Sequence, residues 1–313
     1  MNVQDDNKNI KLPDGREIKW FAKDVDNYID KTTLIFGGSG SGKTTLIDEI
    51  LYIIKDHISN YIVIAPKTSD DVYKRKLPPK CIKEDLTKEK LQEIWRRQYY
   101  LTEVYNIAND SKILETLFNK ISDRPSYLMI ELLKRKAKEI IVKIEEEQKL
   151  SFGEKRSRKL AIENLRDKKI KTVYKDTIRK NGHILSKMSL SHQENIALEY
   201  LDVNPRMCIV IDDCSDKFVT WIKYFKKQEV NPFESIFYRG RWNYITLIFA
   251  SHDDKIVPPE LRKNARVTIY ANSQALVASL NKQQSGFSSD EKKLAMRIAS
   301  CIFGEEKNGT KKK

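Results

Sequence analysis

Residues 37–44 read Gly-Gly-Ser-Gly-Ser-Gly-Lys-Thr, and these residue types at this spacing suit one task, holding a polyphosphate. Glycines let successive backbone N–H groups turn inward around an anion without Cβ clashes. A lysine and a hydroxyl at the end of such a loop can reach the β- and γ-phosphates and a Mg²⁺ ion. The octet satisfies the Walker A pattern, with Gly37, Gly42, Lys43 and Thr44 at the defining positions. Gly38, Ser39, Gly40, Ser41 and Thr45 complete the expected nucleotide-binding set.

A second constellation is Cys208-Ile209-Val210-Ile211-Asp212-Asp213, an apolar run ending in two carboxylates, the Walker B form. Asp212 is expected to share Mg²⁺ with Thr44. Asp213, one step further, is expected to polarise the attacking water as general base. The paired acids favour hydrolysis over simple nucleotide binding. A third run, Tyr244–Ala250, ends in Ser251-His252, and a strand beside the acid strand would aim one of these at the γ-phosphate. His252 is the candidate sensor. Tyr238-Arg239-Gly240-Arg241-Trp242 could carry positive charge to a neighbouring subunit's nucleotide, where such a trans arginine stabilises the transferring phosphoryl group. Arg241 is the first choice for this role, with Arg239 and Arg262 as the other candidates.

Positioning these groups requires an α/β fold. Thr32–Phe36 is apolar and β-branched, and Leu46, Ile47, Ile50, Leu51 and Ile54 follow the glycine loop at helical spacing. Strand, loop and helix in that order are the context in which a Walker A octet binds nucleotide. Asn60–Ala65, Met207–Ile211, Tyr244–Ala250 and Ala265–Tyr270 read as buried strands. Their near-continuous apolar character predicts a mostly parallel sheet flanked by helices. A short strand pair is expected at Ile10–Leu12 and Glu17–Phe21 around Pro13-Asp14-Gly15.

The stretch from about 85 to 204 differs. No proline stands between Pro125 and Pro205, and its only glycines in that interval are Gly153 and Gly182. This predicts long helices, with Leu133, Ala137, Ile140 and Ile144 as an apolar seam and Gly153 as the reversal of a hairpin. A helix start is expected at Ser288-Ser289-Asp290-Glu291. The organisation expected is therefore 1–84 for the N-terminal strands and Walker A half, and 85–204 for a basic helical insertion. Residues 205–305 form the Walker B and sensor half, and 306–313 a disordered basic tail.

At 313 residues the chain can bury a full core. No apolar run approaches the roughly 20 residues of a membrane span, and the polar stretch from Met1 to Lys11 is no secretory signal. Four scattered cysteines without a Cys-x-x-Cys pair fit a reducing intracellular compartment. The formal net charge of +14 points to a polyanionic partner, nucleic acid foremost. Residues 131–180 concentrate it, with 17 Lys/Arg against 9 Asp/Glu.

Together, Gly37–Thr45, Ile209–Cys214, Tyr238-Arg239-Gly240-Arg241, Ile245–Asp254 and Pro258-Pro259-Glu260-Leu261-Arg262-Lys263-Asn264 resemble one family. It is the DNA-packaging ATPases of nucleocytoplasmic large DNA viruses, the poxvirus and giant-virus type, within the FtsK/HerA superfamily of P-loop ATPases. The resemblance covers about 30–75 and 205–305. It implies a RecA-like core, ATP with Mg²⁺, a homo-oligomeric ring (pentamer or hexamer), and translocation of double-stranded DNA into a capsid. Capsid or portal protein would be a further partner, and virion and host-cell cytoplasm, at the viral factory, the location. Two positions depart from the pattern: His252 stands where the superfamily usually has Gln, and Trp242 where many relatives have His. Other classes compatible with the motifs are a related translocase or helicase, a nucleotide-dependent scaffold of low turnover, and a small-metabolite kinase.

Overall fold

The computed structural model describes residues 15, 17, 21–66, 70–83, 86–228, 231–281 and 288–303. The strand pair expected before residue 22 lies largely outside these residues, as does the tail 306–313. In the first half of the chain come β1 (Thr32–Phe36), α1 (Lys43–Ile54), β2 (Asn60–Ile64), α2 (Asp70–Lys74), β3 (Ile82–Lys83) and α3 (Lys88–Ala108). A helical run follows: α4 (Ser111–Ile121), α5 (Arg124–Glu146), α6 (Phe152–Leu185) and α7 (His192–Glu199). The α/β pattern resumes with β4 (Met207–Asp212), α8 (Ser215–Phe225), α9 (Pro232–Arg239) and β5 (Ile245–Ser251). It closes with α10 (Pro259–Arg262), β6 (Val267–Tyr270), α11 (Ser273–Leu280) and α12 (Ser289–Phe303).

Among the described residues six strands form one sheet in the order β3-β2-β4-β5-β1-β6, and each of its strand pairings is parallel. β1, β4 and β5 are buried along their whole length, as strands covered on both faces must be. Side chains alternate between two cores, as the two-residue period of a strand dictates. On one face Leu34, Phe36, Ile209, Ile211, Leu247 and Phe249 meet Phe218, Trp221 and Phe225 of α8 and Phe233 of α9. On the other, Ile35, Val63, Val210, Ile248 and Ala250 meet Ile47, Ile50, Leu51 and Ile54 of α1. The register sets Phe36 opposite Ser251 and Asp212 opposite Ala250. The carboxyl ends of β1, β5 and β4 therefore finish level and side by side. That is where ligands bind in open parallel sheets.

The chain divides into two compact units, residues 1–96 with 206–313, and 97–205. The division falls inside α3 rather than near residue 85, because Leu86, Leu91 and Trp95 join the sheet's core. Within the second unit Leu114, Leu117, Phe118, Ile130, Ile170, Tyr174 and Ile178 pack together. The expected seam is corrected in two respects. Ile140 is exposed, and α5 buries Ile130, Ala137 and Ile144 at seven-residue intervals. Gly153 is not the reversal: it lies in the first turn of α6, which begins with a capping box between Ser151 and Glu154. Among the described residues no helix is long and apolar enough to cross a membrane.

Candidate functional site

The glycine loop follows β1 directly and delivers its chain into α1. Gly42 precedes the helix at φ 88°, a left-handed conformation that costs glycine nothing. Gly37 is fixed for a different reason, since a Cβ there would stand 2.5 Å from Ser41 Oγ and 2.9 Å from Ala271 Cβ. Lys43 is buried, and its ammonium donates to the carbonyls of Gly37 (2.8 Å) and Gly38 (2.9 Å). Neither partner carries a formal charge. Ser41 Oγ is buried with no hydrogen-bond partner among the described residues. A buried unpaired hydroxyl is costly, and an anion seated in the loop would accept from it.

Across the loop, Thr44 Oγ1 donates to Asp212 Oδ2 at 3.1 Å. The Tyr73 hydroxyl of α2 donates to the same oxygen at 2.8 Å. Asp212 is almost wholly buried. Burial pushes its carboxyl above the usual carboxylate range, against the pull of the Tyr73 and Thr44 hydroxyls; Asp213 adds to the rise and Lys43 opposes it. Burial, and then the Asp212 carboxylate, likewise push the Tyr73 phenol well up, so its oxygen keeps its proton and donates.

Asp213 takes a left-handed backbone conformation, φ 52°, while its amide donates to Ala250 O at 3.1 Å. Non-glycine residues rarely hold this conformation, and it concentrates at functional positions. The turn re-aims the carboxylate, which emerges 38% exposed with Oδ1 2.8 Å from His252 Nε2. His252 stands one residue beyond β5, the strand between β1 and β4. A cavity of about 430 Å³ is lined by Ser39, Gly40, Ser41, Gly42, Lys43, Thr44, Thr45, Asp212, Asp213 and His252.

Most of the residues singled out by sequence thus gather around one space, and others do not. Gly37 and Gly38 stand at the mouth of the loop as carbonyl acceptors for Lys43. Ser251 is fully buried and donates to Asp253 O at 2.8 Å, which leaves the cavity to His252. Arg239 and Arg241 are exposed, and Arg241 lies over the Trp242 ring at 5.5 Å. They precede β5, whose seven residues put about 20 Å between them and this chain's own cavity. Arg262 donates to the buried Asp254 at 2.6 Å, so its charge is engaged within the chain. Tyr73 is the site residue that sequence reasoning missed, since no motif surrounds it.

The residues fit a nucleoside polyphosphate with a divalent cation. Among the described residues the loop offers a buried hydroxyl without a partner, a lysine whose hydrogen bonds go to carbonyls, and two glycines, Gly37 and Gly38, where a Cβ would crowd its neighbours. Among the described residues no group of three or more His, Cys, Asp or Glu side chains could hold a metal alone. Asp212 and Thr44 would supply two ligands, in keeping with the sparse protein contribution typical of Mg²⁺ that keeps waters and substrate phosphates.

No protein-family model matches the sequence. Two curated relatives are the African swine fever virus proteins designated uncharacterized protein B354L. That of a Kenyan pig isolate is 28% identical over 312 residues, covering 94% of this chain and 81% of the viral protein. That of a Malawian tick isolate is 28% identical over 295 residues, covering 88% and 77%. Among solved structures, the cytoplasmic domain of EssC aligns with 90% of this chain and 40% of its own, at 13% identity and a TM-score of 0.33. The cytoplasmic domain of the Thermomonospora curvata type VII secretion ATPase EccC aligns with 91% and 24%, at 14% identity and a TM-score of 0.33. The chain spans less than half the length of either solved structure.

Proposed function

We propose that this protein is a Mg²⁺-dependent ATP hydrolase that works as a homo-oligomeric ring and drives double-stranded DNA, a viral genome, into its capsid. One observation carries the hydrolase reading: Lys43, Thr44, Asp212, Asp213 and His252, drawn from the ends of three adjacent strands, line a single cavity. In this reading the loop amides, Ser41 and Lys43 bind the β- and γ-phosphates. Thr44 and Asp212 would hold the Mg²⁺ ion, which when bound neutralises charge on the phosphate oxygens.

Asp213 orients a water against the γ-phosphorus. As the new P–O bond forms, the bond to the β–γ bridging oxygen breaks, a proton passes from the water to the Asp213 carboxylate, and ADP leaves. The His252 ring, with Nε2 protonated, donates to Asp213 Oδ1 and fixes the carboxylate, leaving Oδ2 for the water. Lys43 and the amides act where charge develops in the transition state.

The DNA and ring parts of the reading are supported by charge and by the placement of the arginines. A net charge of +14, concentrated in residues 131–180, favours a polyanion. Arg241 lies too far from its own cavity to serve it, so it would act on the nucleotide of the next subunit. The viral origin of the relatives supports an infected-cell setting, and the capsid or its portal would be the further partner.

The test is the rate of ATP hydrolysis with and without duplex DNA, together with mass in solution. The expected result is turnover that duplex DNA stimulates, in assemblies of pentamer or hexamer size. Folded protein that consumes no ATP under any supply of Mg²⁺ and nucleic acid contradicts the hydrolase. Turnover by monomers alone removes the ring motor and leaves the hydrolase.

A further inference from the structure

Tyr73 belongs to the short helix α2, in the stretch that follows β2. β2 pairs with β4, Ile64 lying opposite Ile211, so the chain leaving β2 emerges beside Asp212. The Tyr73 ring is 2% exposed and packs in the core that includes Ile47 and Val210. A phenylalanine would fill the same space, so packing alone does not call for the hydroxyl. That hydroxyl points at Asp212 Oδ2 from 2.8 Å.

Asp212 Oδ2 has two lone-pair directions, and both are taken, one by Thr44 Oγ1 at 3.1 Å and one by Tyr73. Thr44, by giving its proton to Asp212, keeps its own lone pairs for a cation. Asp212 is 1% exposed, so no bulk water steadies it. Among the described residues the Tyr73 hydroxyl bonds to Asp212 and to no other group, and this bond fixes which way the carboxylate plane faces. We propose that Tyr73 is a positioning residue for the divalent cation, locking the Asp212 carboxylate in the orientation from which Asp212 and Thr44 bind the ion. This inference rests on the nucleotide-hydrolase reading above. Partners one shell out from a metal orient its ligands, and losing one typically costs 10–100-fold in metal affinity.

The test compares the full chain with its Tyr73→Phe variant, using Mn²⁺ as a paramagnetic probe titrated in the presence of ADP, and ADP affinity in EDTA as the metal-free control. The expected result is Mn²⁺ affinity lower by about 10-fold or more with ADP affinity in EDTA unchanged. A second comparison adds Asp212→Asn. If Tyr73 acts through Asp212, the double variant binds Mn²⁺ as weakly as Asp212→Asn alone, the non-additivity expected of coupled groups. Unchanged Mn²⁺ affinity in Tyr73→Phe overturns the proposal. So does a parallel loss of ADP affinity in EDTA or of the fold itself, which would make the hydroxyl a structural group. So does a double variant in which the two losses simply add. A wild-type chain that binds ADP neither with nor without Mn²⁺ contradicts the hydrolase reading instead.

Discussion

The two units of this chain bury charged groups in opposite ways. In the helical unit Glu194 is buried, and its partners are complete: Lys120 at 2.6 Å and the amide and hydroxyl of Ser191 in a capping box. The hydrogen bond from Lys120 comes first among the contacts that hold its carboxyl below the usual range. In the α/β unit the hydrogen bonds of Lys43 among the described residues go to carbonyls, Ser41 Oγ has no partner among those residues, and burial raises the Asp212 carboxyl. One buried charge is fully paired and serves the fold. The others are incompletely paired, in a region that opens onto a cavity. Unfinished electrostatics of that kind mark the place where a ligand completes the account.

The largest expected effect tests that contrast on its catalytic side. Lys43→Ala should lower ATP turnover by at least about 100-fold, the scale of losing one preorganised transition-state donor. The thermal midpoint should change little, because both hydrogen-bond partners of Lys43 are uncharged carbonyls. Steady-state turnover and a melting curve check both, and a melting point that collapses would make Lys43 a structural residue like Glu194.

That division also explains what could be read in advance. The glycine loop was legible because its backbone restricts residue type at key positions: Gly42 holds φ 88°, which side chains rarely adopt, and at Gly37 a Cβ would stand 2.5 Å from Ser41 Oγ. β1, β4 and β5 were legible because burial on both faces leaves continuous apolar runs. Tyr73 was not, since its role depends on β2 lying next to β4, a contact between residues 139 positions apart. β3, two residues long, is too short to show a period. Ile140 misled because a step of three or four keeps a residue near a helix face without burying it, and α5 buries the row of Ile130, Ala137 and Ile144 instead. Gly153 misled because the chain reverses just before it, where Ser151 can cap α6.

The next effect tests the structural side. Ile178→Ala, at a fully buried position of the helical core, should cost about 2–5 kcal/mol of stability through the cavity left behind. Denaturant melts monitor that loss, and ADP affinity measured well below the transition should stay at the wild-type value. A parallel fall in ADP affinity would show that the helical core also shapes the nucleotide site.

The smallest effect concerns surface charge. Lys136, Lys138 and Lys143 are exposed on α5. Replacing all three with Gln should leave stability and DNA-free ATP turnover unchanged. Each lysine that touches a phosphate should take about 0.9 off the slope of log affinity against log salt. Duplex binding measured across a salt series reads this directly, and an unchanged slope would assign these lysines to solvation of the surface.

Most directly at issue is whether Asp213 cleaves the phosphate that the glycine loop holds. Single-turnover ATP cleavage by Asp213→Asn, with bound ATP measured on the same samples, decides it. If Asp213 is the general base, ATP binding stays at the wild-type value and cleavage slows by roughly 10²–10⁴-fold, the usual contribution of such a group. Cleavage at the wild-type rate would contradict that role.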